Sequence, residues 1–143
     1  MMRNSVKAAL VLAAAFGAMV GSGSAASADT TWIGANYAGV SVNTAKGVGW
    51  AQVDWTTGSK TAPAYAHAWI QNGSTGYSLD GWLERSHNGG AFVRVSGIHA
   101  LNDGSTDTSV QTYDYYDGPG YLARACFQFT SWSGAAVHCT PAI

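Results

Sequence analysis

Between residues 29 and 143, apolar positions alternate with polar or small ones over short runs, and glycine or asparagine closes most of them. A period of two over four to eight residues marks strands with one buried face, and no sustained 3.6-residue period competes with it. Strands are predicted at residues 40–42, 48–55, 64–71, 77–86, 92–99, 108–116, 121–130 and 135–139. The turns between them carry Asn72-Gly73, Asn88-Gly89-Gly90, Asn102-Asp103-Gly104 and Asp117-Gly118-Pro119-Gly120. Asn-Gly and Asp-Gly accept the positive φ angles of tight hairpins, because glycine has no Cβ to clash. Mostly hairpin connections are therefore expected, and with them antiparallel sheets.

Two strands show their faces. Ala66, Ala68 and Ile70 fall on one side of the 64–71 strand, with Tyr65, His67, Trp69 and Gln71 on the other. In the 121–130 strand, Tyr121, Ala123, Ala125, Phe127 and Phe129 oppose Leu122, Arg124, Cys126 and Gln128. Small residues beside large rings suggest two closely packed layers with rings filling the gaps. The fold class expected is all-β: an antiparallel β-sandwich of about seven or eight short strands with one disulfide. A small closed barrel is the alternative. His67 to Thr75 and His99 to Thr106 echo one another, as two similar strand-to-turn junctions would without any repeat architecture.

The first 28 residues depart from this pattern. Arg3 and Lys7 precede an apolar run from Ala8 to Val20, and small polar residues lead to Ala26-Ser27-Ala28. That is the layout of a secretory signal peptide; the apolar run is shorter than the roughly 20 residues of a spanning helix. Residues 1–28 are thus expected to be removed and residues 29–143 to form one secreted, extracellular domain with no membrane anchor. Without Arg3 and Lys7, five basic residues (Lys46, Lys60, Arg85, Arg94 and Arg124) face eight acidic ones, a formal charge of −3. This balance gives no reason to expect nucleic acid as a partner. Cys126 and Cys139, the only cysteines, are expected to pair in an exported chain.

Catalytic and metal chemistry find little support in the spacing. Glu84, Ser86 and His87 supply triad residue types, but Glu84 and Ser86 share a strand face while His87 opens a turn, and no Gly-x-Ser-x-Gly elbow occurs. Asp80 and Glu84 would stand about 13 Å apart on one face, too far for either standard glycosidase geometry. Asp114 with Asp117 is no more persuasive a pair. The four histidines show no recognised ligand spacing, and the 102–107 stretch lacks the closing Glu of a calcium loop. No cofactor, no metal and no catalytic residue is assigned. Asn72-Gly73-Ser74 matches a glycosylation acceptor on a two-letter pattern alone.

Aromatic content is the better clue. Residues 29–143 hold six Trp, seven Tyr and three Phe, more than one small core needs. Exposed Tyr and Trp are the usual anchors for proteins and for sugar faces. Tyr113, Tyr115, Tyr116 and Asp117 precede the Gly118-Pro119-Gly120 turn and form the richest candidate for partner binding. Alternation would put Tyr113 and Tyr115 on one face and Tyr116 on the other.

The run from Tyr115 to Phe127 and the closing Val137-His138-Cys139-Thr140-Pro141 resemble small exported proteins of actinobacteria such as streptomycetes, a group mostly without assigned activity. In size, export and single-domain β layout the chain is also similar to adaptor subunits of secreted umbrella-shaped toxin particles. Such adaptors join a lectin-bearing subunit to a large toxin subunit, so the resemblance implies a non-enzymatic, protein-binding role. It covers about the last quarter of the chain plus its layout, and no binding residue of the adaptors can be matched here. The expectation is a secreted binding protein with an extracellular protein partner. A carbohydrate-binding module or lectin and an inhibitor of secreted proteases are the alternatives.

Overall fold

The computed structural model describes residues 29–45, 47–57, 64–74, 76–102 and 108–143. The expected signal peptide and the Asp103-Gly104 part of the third turn lie outside them. Eleven strands occur among the described residues: β1 (Thr30–Ile33), β2 (Tyr37–Thr44), β3 (Gly47–Thr57), β4 (Tyr65–Asn72), β5 (Leu79–His87), β6 (Val93–Arg94), β7 (His99–Leu101), β8 (Thr108–Gln111), β9 (Tyr115–Tyr116), β10 (Tyr121–Phe129) and β11 (Val137–Cys139). They form two antiparallel sheets. The first runs β1-β2-β3-β4-β8 with β9 also on β4; the second runs β11-β10-β5-β6 with β7 also on β5. The sheets pack face to face as a sandwich and do not close into a barrel. No helix among the described residues is long and apolar enough to cross a membrane.

The core follows the alternation. Val40, Val53, Ala68 and Ile70 of the first sheet meet Leu79, Leu83, Ala125 and Phe127 of the second, all fully buried. Close approach is possible because glycine stands where rings need room. A Cβ on Gly49 would lie 2.4 Å from the Phe127 ring, and one on Gly81 2.5 Å from Ile70 Cδ1. Phe127 and Phe129 meet edge to face, 5.8 Å between centroids. The expectation of two thin layers filled by aromatics thus holds.

The strand count differs from the expected seven or eight. β1 was not expected, and it is an exposed edge of four residues paired to β2 from Thr30↔Ser41 to Ile33↔Ala38. The runs expected at 92–99 and 108–116 are each broken in two, and a buried hydroxyl marks each break. At Thr112 the Ala68 N–H donates to Thr112 Oγ1 (3.0 Å), while Thr112 N donates to Ala68 O (2.9 Å). At Ser96 the Leu83 N–H donates to Ser96 Oγ (2.9 Å), while Val95 N donates to Leu83 O (3.0 Å). Past β11 the pattern recurs: Ala125 N donates to Thr140 Oγ1 (3.1 Å) and Thr140 N to Ala125 O (2.9 Å). In each case a side-chain oxygen replaces the backbone carbonyl that the central strand's N–H would otherwise meet, so no buried donor is orphaned where the edge strand departs.

Fewer connections are hairpins than expected. Those from β4 to β5, β7 to β8 and β9 to β10 pass from one sheet to the other. The described parts of the echo, residues 67–74 and 99–102, lead into two of these crossings, and the rest of it lies outside the described residues. Asn72 is 1% exposed and donates through Nδ2 to Tyr77 O (2.8 Å) and Leu101 O (3.1 Å), binding the two junctions together. A residue held this way is closed to glycosylation in the folded state.

Cys126 and Cys139 form the disulfide and stand directly opposite in the β10–β11 register, Cα atoms 4.1 Å apart. Cys126 lies on the outer side of β10, beside Trp82 of β5. The expected pairing of the two cysteines is present.

Candidate functional site

Two turns and the strand ends around them meet at one end of the sandwich. Gly118, Pro119, Gly120 and Tyr121 make a turn closed by Tyr121 N donating to Gly118 O (3.1 Å), with Pro119 at its second position and Gly120 at φ 84° in its third. That is type II geometry, in which proline presets the first angle and glycine accepts the second. His87-Asn88-Gly89-Gly90 closes through Gly90 N to His87 O (3.0 Å) with φ 49° at Asn88 and 73° at Gly89, the type I′ form expected of Asn-Gly. Asn88 N donates to Gly120 O (2.7 Å), so the two turns are pinned to each other.

The rings around this junction form a continuous cluster. His87 stacks on Tyr121 with centroids 4.3 Å apart, and the Arg85 guanidinium lies 4.5 Å from the same ring's centroid. Arg85 also donates to Tyr116 O. Tyr116 meets Tyr121 edge to face at 5.5 Å and Tyr65 at 6.0 Å. Its ring covers Gly118, where a Cβ would fall 2.3 Å from the phenol oxygen. Tyr65 and Tyr116 remain 43% and 38% exposed.

The four residues singled out in the sequence divide into two pairs. Tyr113, 84% exposed, and Tyr116 face solvent. Tyr115 packs inward on the core, and Asp117 is wholly buried. Asp117 accepts from Trp55 Nε1 (2.9 Å), and its backbone N donates to Ala64 O (2.8 Å). Tyr113 and Tyr115 were expected on one face, but the break at Thr112 resets the alternation between them. Arg85, His87, Tyr65 and Tyr121 were not foreseen as neighbours of Tyr116. Alternation showed Tyr65 on an outer face, but only the pairing Tyr65↔Tyr116 between β4 and β9 brings the rings together.

Other candidate groups are engaged elsewhere. Ser86 Oγ donates to Gly90 O (2.6 Å), so its proton points at the backbone. Glu84 accepts from Trp82 Nε1 (2.8 Å) and pairs with Arg124 (2.6 Å), whose guanidinium carbon lies 4.2 Å from the Phe92 centroid. Glu84 also lies within 4.8 Å of the Cys126 and Cys139 sulfurs. Those sulfurs are bonded to each other and offer no thiolate to a metal. Asp114 Oδ1 is 3.2 Å from His67 Nδ1, and Asp54 Oδ2 is 3.7 Å from His67 Nε2.

These features define a class: a disulfide-linked, two-sheet β-sandwich with a preformed aromatic and basic surface at one end. Compared with protein-family models, curated proteins and solved structures, the chain matches none.

Proposed function

We propose that this protein is an exported, non-enzymatic binding module that holds an extracellular protein partner at its tyrosine end, in the manner of an adaptor. The carrying observation is the cluster of Tyr65, Tyr116 and Tyr121 around Arg85, with the exposed Tyr113 three residues before Tyr116 in the chain. Tyr and Arg lead the residue types that dominate binding energy at protein interfaces. Rings fixed by stacking and by two interlocked turns lose little further freedom on binding, which favours affinity. The amino-terminal pattern of residues 1–28 and the disulfide are in keeping with export. The resemblance to secreted adaptor subunits points the same way.

The test is capture from the culture supernatant of the source organism, without reductant, on the tagged exported protein and on its Tyr113→Ser/Tyr116→Ser variant. Recovery of one or two exported proteins in fixed stoichiometry by the parent, lost with the variant, is expected. Recovery of no protein, or equal recovery by both forms, would overturn the proposal.

A further inference from the structure

A second surface lies on the outer face of the first sheet, further along β4 from Tyr65 of the tyrosine end, and its chemistry is different. The registers place Trp32, Gly39, Gln52, Trp69 and Gln111 in one row across β1, β2, β3, β4 and β8. The adjacent row carries Trp50 opposite Gln71. Trp69 is thus a diagonal neighbour of Trp50, about 7–8 Å away across the strand pair. Trp32 and Trp50 stack at 6.1 Å with planes 28° apart. The three indoles thus form a bent line from β1 to β4, with Trp32 and Trp69 in one row and Trp50 in the next.

The line is built rather than incidental. Trp32 lies over the backbone of β2 because position 39 is glycine; a Cβ there would fall 2.0 Å from the indole. The Gln52 amide is held by donation to Asp54 Oδ1 (2.7 Å). Trp69 is 37% exposed although strand alternation would let a small residue serve there equally well. Large rings kept on a solvent face, away from any core, are retained for contact.

The occupant is argued from what separates the rings. At the centre of a protein interface, anchors are ringed by contacts that exclude water, and charged side chains are scarce. On this face amides stand beside two of the three indoles: Gln52 and Gln111 flank Trp69 across the strands, and Gln71 faces Trp50. An amide can donate and accept at once, as can a sugar hydroxyl. A pyranose ring is apolar on its C–H faces and carries hydroxyls around its edge, so it asks for an indole below and amides at the sides. Adjacent strands are about 4.8 Å apart, close to the length of one pyranose unit, so a chain lying across the strands meets ring and amide in turn. No lysine or arginine is among the described residues of this face. The described residues of this face therefore offer no cation to a sulfated or uronate polymer.

We infer that the outer face of the first sheet binds a neutral polysaccharide or oligosaccharide chain, stacked on Trp32, Trp50 and Trp69 and hydrogen-bonded by Gln52, Gln71 and Gln111. The site shares no residue with the tyrosine end, and each can fail without the other.

The experiment is depletion of the exported protein from solution by amorphous cellulose, chitin and insoluble xylan, with polygalacturonate as the anionic comparison. Wild type is measured beside Trp69→Ala and Gln111→Ala, both at exposed positions, with thermal unfolding of each variant as the folding control. Retention on at least one neutral polymer that resists salt, weakened about tenfold by Trp69→Ala at unchanged melting temperature, is expected. Gln111→Ala should weaken it less. Absence of retention on all three neutral polymers would overturn the inference, as would retention indifferent to Trp69→Ala or confined to polygalacturonate. Protection of the tryptophan face by a captured protein partner, with no polysaccharide retention, would assign the face to that partner instead.

Discussion

Replacing Thr112 by valine should cost far more than a threonine-to-valine change in a strand ordinarily does. The two side chains have nearly the same shape, so the substitution removes only the hydroxyl. In the structure that hydroxyl accepts from Ala68 N at 3.0 Å and donates to Tyr113 O at 3.0 Å, in a residue 3% exposed. Ala68 is fully buried on the central strand β4, so its N–H would be left without a partner or water. An orphaned buried donor costs about 1–3 kcal/mol. For a domain of about 115 residues, with an unfolding entropy near 2.1 cal/mol/K per residue, 2 kcal/mol lowers the melting temperature by about 8 °C. Urea unfolding followed by tryptophan fluorescence should show a lower midpoint at unchanged slope. Amide exchange at Ala68 should accelerate by more than the loss of global stability requires, while that of Val53 on β3 accelerates by no more than that loss. Thr30→Val on exposed β1 is the comparison and should stay within about 0.5 kcal/mol. If Thr112→Val cost no more than Thr30→Val, the reasoning that a hydroxyl replaces a ladder carbonyl would be refuted. Ser96→Ala should behave similarly through Leu83 N, and Thr140→Val through Ala125 N.

Three more outcomes follow from the packing. Reducing the Cys126–Cys139 bond opens a loop of about 14 residues and should cost about 3 kcal/mol, or roughly 12 °C in melting temperature, read by calorimetry with and without reductant. Gly81→Ala drives a methyl to within 2.5 Å of Ile70 and should destabilise by about 1–3 kcal/mol in urea titrations, whereas Gly97→Ala, with open space around its Cβ, should be near neutral. Asp117→Ala strips the acceptor from Trp55 Nε1 and should lower the urea midpoint by the equivalent of about 1–3 kcal/mol, while Asp117→Asn keeps an acceptor there and should lose less. Loss of partner capture by Asp117→Ala with unchanged stability would instead make Asp117 a contact residue.

How far the sequence spoke for the fold depended on which physical effect set each element. Central strands were legible because burial on one face imposes alternation, as in Ala66-Ala68-Ile70 on β4 and Ala123-Ala125-Phe127-Phe129 on β10. The Asn88-Gly89 turn was legible because its φ angles are local. Edge strands were not. β1 buries little, so no pattern marks it. The breaks at Ser96 and Thr112 are made by residues that are also ordinary in strands, and only the partner across the ladder shows which use applies. The tyrosine end was half legible: Tyr113 and Tyr116 lie where an aromatic run before a Gly-Pro-Gly turn suggests. Arg85, His87 and Tyr65 reach it by crossings between sheets that local sequence does not encode. The tryptophan face was written in the alternation of Tyr65, His67, Trp69 and Gln71, but its rows exist only once β1, β3, β4 and β8 are in register.

The most direct measurement is hydrogen exchange by mass spectrometry on residues 29–143, alone and in the complex with the protein partner that the proposed function requires. Binding at the tyrosine end predicts slowed exchange in residues 112–121 and at the start of β4, with β11 and the outer edge at β6 unchanged. Protection confined to β6, β11 or the second sheet, with residues 112–121 exchanging as in the free protein, would contradict it.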